Sequence, residues 1–170
     1  MAEPGPLQSP VSLARGHDFS DFECGSEPLD AYLKHFAWVN QQAGAARTYV
    51  ATRDSRVVGY YTLAYGSVEH QEATPRVRRG LARHPIPVMV LARLAVDRSS
   101  QQQGLGKSLL KDALLRTLGA AEIAGLRAII VHAKDDVAKA FYSKFGFEAS
   151  PTDPFHLMLL LKDLRRIVTV

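Results

Sequence analysis

The chain has 170 residues, 46% of them apolar and 22% charged, with a net charge of +4 and a pI near 9.3. That length and apolar fraction fill one hydrophobic core, and the composition is neither that of a disordered chain nor that of a membrane protein, so a single domain over residues 1–170 is expected, behind a loose N-terminus over 1–16. The apolar runs Ile86 to Ala92 and Leu157 to Leu161 are too short to span a bilayer, and Met1 to Pro10 holds no basic segment followed by an apolar one, which makes the cytoplasm the expected compartment. Cys24 is the sole cysteine, so no internal disulfide forms, and the six histidines (17, 35, 70, 84, 132 and 156) lack paired ligand spacing, so no metal site is expected.

Along the chain, Ser26 stands where a helix cap would, Pro28 in the first turn, and Leu29, Tyr32, Leu33 and Phe36 recur at helical spacing to about Asn40. Arg47 to Thr52 and Val57 to Val68 read as strands joined by a turn at Arg53-Asp54-Ser55-Arg56, an antiparallel hairpin. From His70 to Pro87 four arginines and three prolines predict an irregular connection. Val88 to Val96 is a strand, closed by Asp97-Arg98-Ser99-Ser100. A helix opens at Gly104 to Gly106 with an apolar face of Leu105, Leu109, Leu110, Ala113, Leu114 and Leu118, and Gly119 is placed to end it. Ala128 to Val131 is a short strand; Asp135 or Asp136 caps a helix stopped by Gly146; a last strand runs from about Phe155 to Leu161. This alternation describes an α/β (α+β mixed sheet) fold with helices on its faces.

A strand ending at Val96, a short turn and a glycine-rich entry into a helix make an anion site, because unpaired backbone N–H groups and the positive end of the helix dipole converge there. Gly104 and Gly106 allow close approach of a phosphate, Gln101 can order the loop or add a donor, and Lys107 can add charge. The same glycines can also serve a tight turn alone. Gly106-Lys107-Ser108 matches the end of a nucleotide phosphate-binding loop, but position 101 is Gln where that motif begins with Gly.

Leu94-Ala95-Val96-Asp97, then Gln101-x-x-Gly104-x-Gly106, then Ala138-x-x-Phe141-Tyr142-x-Lys144-x-Gly146-Phe147 resemble, in order and spacing, the GNAT N-acetyltransferases. The resemblance implies the acyl-CoA N-acyltransferase fold: a central, mostly antiparallel sheet with a splay after the Val88 to Val96 strand, against which pantetheine lies like an added strand. It also implies acetyl-CoA as cofactor, with Leu94, Ala95, Val96, Gln101, Gln102, Gln103, Gly104, Leu105, Gly106, Lys107 and Ser108 as its binding set. Asp135 stands where many members of the family carry an asparagine that bonds the pantetheine arm, and Asp135 is left out of that set.

Attack of an amine on a thioester needs a neutral amine, an oxyanion stabiliser and a proton for the departing thiolate. Tyr142 can supply that proton, since a thiol near about 8.5 and a phenol near about 10 differ little. A tyrosine between Phe141 and Phe145 can equally be core, but the resemblance places it at the leaving-group acid. Cys24 as a covalent nucleophile has no visible base partner.

The resemblance extends over most of the chain from His17 on. Phe22-Glu23-Cys24-Gly25, Pro28-Leu29-Asp30-x-Tyr32-Leu33, Ala45-x-Arg47-Thr48-Tyr49-Val50, Val58-Gly59-Tyr60-Tyr61 and Pro87-Val88-Met89-Val90-Leu91-x-Arg93 are similar to the GNAT toxins of bacterial toxin–antitoxin pairs. This implies acetylation of the α-amino group of aminoacyl-tRNA, a block of translation, a homodimer, and neutralisation by a ribbon-helix-helix antitoxin. An α-amino group titrates near about 8 and a lysine near about 10.4, so the former needs little help from a base. Arg76, Arg78, Arg79, Arg83 and Arg93 are the expected tRNA contacts, although the first four also read as a solvated loop. The alternatives are a GNAT enzyme acting on a protein N-terminus or small amine and, more distantly, a non-catalytic nucleic-acid or acyl-CoA binding module.

Overall fold

The computed structural model describes residues 3–168. They gather into two compact units, one made of the chain up to Ala64 with Ala92–Ala113, the other of Tyr65–Leu91 with the chain from Leu114 on.

In the first unit β1 (Gln8–Ser12) pairs antiparallel with β2 (Arg47–Arg53), and β2 with β3 (Arg56–Val68). The β2–β3 turn holds Asp54 at φ 51° and Ser55 at φ 66°, both left-handed, as a two-residue hairpin whose twist matches its strands requires. One continuous helical run comprises α1 (Glu27–Ala31), a π-helical turn over Tyr32–Phe36 and α2 (Ala37–Gln42). Its inner face, Tyr32, Leu33 and Ala37, packs with Leu13, Phe22, Val50, Val57, Tyr60 and Ala95 in one buried cluster. The last part of β4 (Ile86–Val96) and the first part of α4 (Leu105–Ala121) complete this unit. Gly59 is small for a reason: a β-carbon there would come within 3.0 Å of Leu109 and 3.1 Å of Leu105 on α4.

In the second unit the start of β4 pairs in parallel with β5 (Ala128–His132) through Val88↔Ala128, Met89↔Ile129 and Val90↔Ile130. β6 (Glu148–Ala149) and β7 (His156–Leu160) follow, and β7 runs antiparallel to both β5 and β6. The full strand order is β1-β2-β3-β4-β5-β7-β6. The helices α3 (Pro75–Arg78), α5 (Asp136–Ser143) and α6 (Leu161–Val168) accompany these strands, and Val68, Val77, Ile86, Val88, Ile130, Met158 and Leu160 form their core. No helix among the described residues is long and apolar enough to cross a membrane.

The expected mixed α/β sheet is present, with five differences in detail. Residues 8–12 of the stretch expected to be loose form β1, because Leu13 N–H donates to Thr48 C=O and the Gln41 amide accepts from Thr48 N–H while donating to Leu13 C=O. The arginine-rich connection carries α3, capped by the Thr74 hydroxyl, which accepts from Val77 N–H. α4 continues through Gly119 to Ala121. β6 and α6 were not expected; α6 starts on the residue after β7, with no glycine or proline to mark the change.

Candidate active site

The glycine loop belongs to the first unit and is built from Asp97 outward. Asp97 is 3% exposed. Its Oδ1 accepts from Glu23 N–H at 2.8 Å, and its Oδ2 accepts from both the N–H and the hydroxyl of Ser99 and lies 3.7 Å from Arg56. Burial works to raise its pKa, but the hydrogen bonds from Ser99 and Glu23 and the charge of Arg56 outweigh it and hold the carboxyl below the usual range. Gln101 then spends its amide protons on Cys24 C=O and Val96 C=O, both at 2.9 Å. Of the two roles open to Gln101, the structure gives it the ordering one.

Beyond this brace the backbone turns left-handed at Gln102 (φ 61°) and again at Gly104 (φ 82°) before α4 begins. Such alternation turns successive N–H groups to one side as an anion-binding concavity. The first helical bond runs from Ser108 N–H to Gly104 C=O at 3.1 Å, so the N–H groups from Gly104 to Lys107 precede the helical ladder. The Ser108 hydroxyl donates to the same carbonyl at 3.2 Å, and Gln103 reaches back to Ser99 C=O. Lys107 is exposed. A β-carbon on Gly104 would meet nothing within 4 Å, so the glycine is there for its φ and for open access. These donors, free of any carboxylate partner among the described residues, fit a diphosphate. Upstream on β4, Ala95 is buried while Leu94 and Val96 are half-buried, and the ladder to β5 ends at Val90.

Tyr142 lies on α5 in the second unit. Asp135 caps that helix by accepting from Ala138 N–H at 2.8 Å, which settles Asp135 as the cap, and Gly146 at φ 93° turns the chain out of it. The Tyr142 side chain is 6% exposed, edge-on to Phe141 at 5.1 Å and to Phe147 at 5.5 Å. Burial pushes its phenol pKa up, so Tyr142 keeps its proton throughout the neutral and mildly alkaline range. It is a core residue that carries its phenolic proton, and giving that proton up is more uphill than for a free phenol.

The arginines differ from one another. Arg76 is committed: Nε and Nη2 bind both oxygens of Asp163 at 3.0 and 2.5 Å, a bidentate pair that ties α3 to α6. Arg79 is exposed, and Arg78 and Arg83 line a cleft of about 410 Å³ with Glu69, His70, Gln71 and His84; none of the three has an ion-pair partner among the described residues. In the first unit Arg93 is half-buried, with its guanidinium 3.7 Å above the ring of Tyr32.

Residues 44–149 match the model of the acetyltransferase (GNAT) domain. The chain belongs to the GNAT acetyltransferases. It is 51% identical over 160 residues to a tRNA-acetylating toxin of Mycobacterium tuberculosis, covering 94% of this chain and 96% of that protein. It is also similar to two solved structures. One is AtaT complexed with acetyl-methionyl-tRNAfMet, at a TM-score of 0.88 and 26% identity, covering 96% of this chain and 99% of that one. The other is an AtaT mutant bound to the C-terminus of the antitoxin AtaR and acetyl-CoA, at 0.83 and 27%, covering 97% and 99%.

Sequence reasoning about this GNAT domain missed three supporting residues. Arg127 donates from Nε to Val77 C=O at 2.8 Å and from Nη2 to Arg79 C=O at 3.0 Å, fixing the end of α3 that presents Arg78 and Arg79. Tyr32 supplies the platform under Arg93, and Glu23 supplies the backbone donor to Asp97. Only Arg93, a charged residue inside an apolar strand, signalled any of this. His132 and His156 stack at 4.0 Å on paired strands, and burial together with His132 lowers the His156 pKa, so His156 is neutral at pH 7.

Proposed function

We propose that this GNAT domain is an acetyl-CoA-dependent toxin that acetylates the α-amino group of aminoacyl-tRNA and so blocks translation, acting in the cytoplasm as a homodimer neutralised by a ribbon-helix-helix antitoxin. The observation that carries the reading is 51% identity along nearly the whole chain to a tRNA-acetylating toxin. We read residues 1–170 as one catalytic domain.

Acetyl-CoA, when bound, supplies an activated acetyl thioester. The N–H groups from Gly104 to Lys107 at the α4 N-terminus would hold its diphosphate, with Gln101 keeping the loop in shape. Leu94, Ala95 and Val96 would offer strand backbone to the pantetheine amides. Tyr142 holds a proton at Oη for a departing thiolate, and its raised pKa guarantees that the proton is present at neutral pH. Arg93 would receive a phosphate or carbonyl oxygen of the acceptor end, because stacking on Tyr32 leaves the in-plane N–H donors unspent. Arg78, Arg79 and Arg83 would follow the phosphates, with Arg76 bracing them through Asp163.

Incubating the protein with labelled acetyl-CoA and either charged tRNA, uncharged tRNA, an N-terminal peptide or a polyamine tests this. Label is expected on charged tRNA alone. Transfer to the peptide or polyamine would assign the domain to another acceptor.

A further inference from the structure

Apart from the glycine loop and Arg93, the first unit carries a second built feature. A groove of about 300 Å³ runs between the chain after β1 and the outer face of the α1–α2 helical run. Leu13, Phe19, Trp38 and Val39 give it an apolar lining, Arg15 and Lys34 bring positive charge to it, and His17 and His35 complete it, the His17 Nδ1 accepting from Ala14 N–H; no acidic side chain lines it. Val39 is 62% exposed and the neighbouring Phe36 55%, more than a surface helix needs for its own packing.

The walls are fixed in advance. Gln41 bridges Leu13 C=O and Thr48 N–H at 2.8 and 3.0 Å, and Leu13 N–H donates to Thr48 C=O at 2.9 Å, so the strand side cannot close on the helix side. The π-helical turn over Tyr32–Phe36 contributes Lys34 and His35 to the groove, and such single π turns recur at binding sites. One face of Trp38 is already covered by the Arg15 guanidinium at 5.6 Å, which withholds that face from a stacking base.

We propose that this groove is the docking site for an amphipathic segment of a partner protein, with apolar side chains seated on Phe19, Trp38 and Val39 and carboxylates facing Arg15 and Lys34. An apolar lining whose only charges are the cations Arg15 and Lys34 selects a peptide that alternates apolar anchors with acidic residues over one presenting lysines. The inference rests on the antitoxin reading above in one respect: the partner it commits to is the neutralising antitoxin.

Trp38 is the single tryptophan, so its emission reports the groove directly in the intact protein. The experiment titrates purified cognate antitoxin into wild type, Val39→Asp and Lys34→Glu, with thermal melts to verify folding and acetylation of charged tRNA measured alongside. A saturable change in Trp38 emission, with each variant weakening binding at least about tenfold and leaving acetylation intact, is the expected result. Equal binding by all three proteins with Trp38 unmoved overturns the groove proposal and leaves the toxin reading standing. A raised KM for charged tRNA in the variants, with tRNA shifting Trp38, also overturns it by making the occupant RNA. Failure of the antitoxin to bind wild type overturns both the groove and the antitoxin, while acetylation of charged tRNA would still stand.

Discussion

The Arg93 guanidinium lies 3.7 Å from the centre of the Tyr32 ring, which in turn stacks on Tyr60 at 6.5 Å. The contact holds the guanidinium over the ring without using its N–H donors and contributes about 0.5–2 kcal/mol. Arg93→Gln should therefore lower kcat/KM for charged tRNA by roughly five- to thirtyfold, equivalent to about 1–2 kcal/mol, with the affinity for acetyl-CoA unchanged. If Arg93 meets a phosphate, the slope of log kcat/KM against log salt becomes shallower by about one. Calorimetry with the coenzyme and kinetics at several salt concentrations separate the two ligands; a loss confined to coenzyme affinity would remove Arg93 from the acceptor side.

Tyr142→Phe should retain acetyl-CoA binding and slow turnover by roughly tenfold to ten-thousandfold, the range for a lost general acid. Burial raises the Tyr142 pKa, so the wild-type rate should climb as the acceptor amine deprotonates near about pH 8 and show no decline from Tyr142 below about pH 10. Stability has the same sign: the unfolded phenol ionises first, so the contribution of buried Tyr142, and of Tyr60, whose pKa burial also raises, is full below about pH 10 and is lost above it. A falling limb near pH 8 that disappears in Tyr142→Phe would contradict this.

Asp97 is the post on which the glycine loop hangs. Asp97→Asn turns an amide N–H toward the backbone donors of Glu23 or Ser99, leaving a buried donor unpaired at a cost of about 1–3 kcal/mol. Because the folded pKa is depressed, the carboxylate's contribution is present above its unfolded value of 3.8 and is lost as pH falls through the folded value. Melting temperatures of wild type and variant should thus differ at pH 7 and converge in strong acid.

Gly104→Ala tests the loop alone. At φ 82° with open space around it, an added methyl costs conformational strain of about 1–2 kcal/mol and no clash. Acetyl-CoA affinity should fall by roughly fivefold or more, read by calorimetry, while the strain lowers the global melting temperature by about 2–8 °C.

The parts legible from sequence were those written in local chemistry. The periodic apolar face of α4, the alternating strands of the β2–β3 hairpin, the Asp135 cap and the glycines at 104 and 146 each act through near neighbours. The parts that were not legible depend on distant partners. β1 exists because Gln41 and Thr48 hold its end, α3 is pinned by Arg127 and by Asp163, and Gly119 is carried through α4 by the helix around it. The same holds at the site: the glycine motif pointed to the anion loop, but that Gln101 braces it through Cys24 and Val96, and that Arg76 is spent on Asp163, required coordinates.

The most direct measurement is the transfer of labelled acetyl from acetyl-CoA to tRNA, followed by digestion to the terminal aminoacyl-adenosine. The account predicts label on the α-amino group of charged tRNA, none on uncharged tRNA, and a rate cut at least about tenfold by Tyr142→Phe. Label on nucleobases, on a peptide in preference to charged tRNA, or at an undiminished rate without the Tyr142 hydroxyl would contradict it.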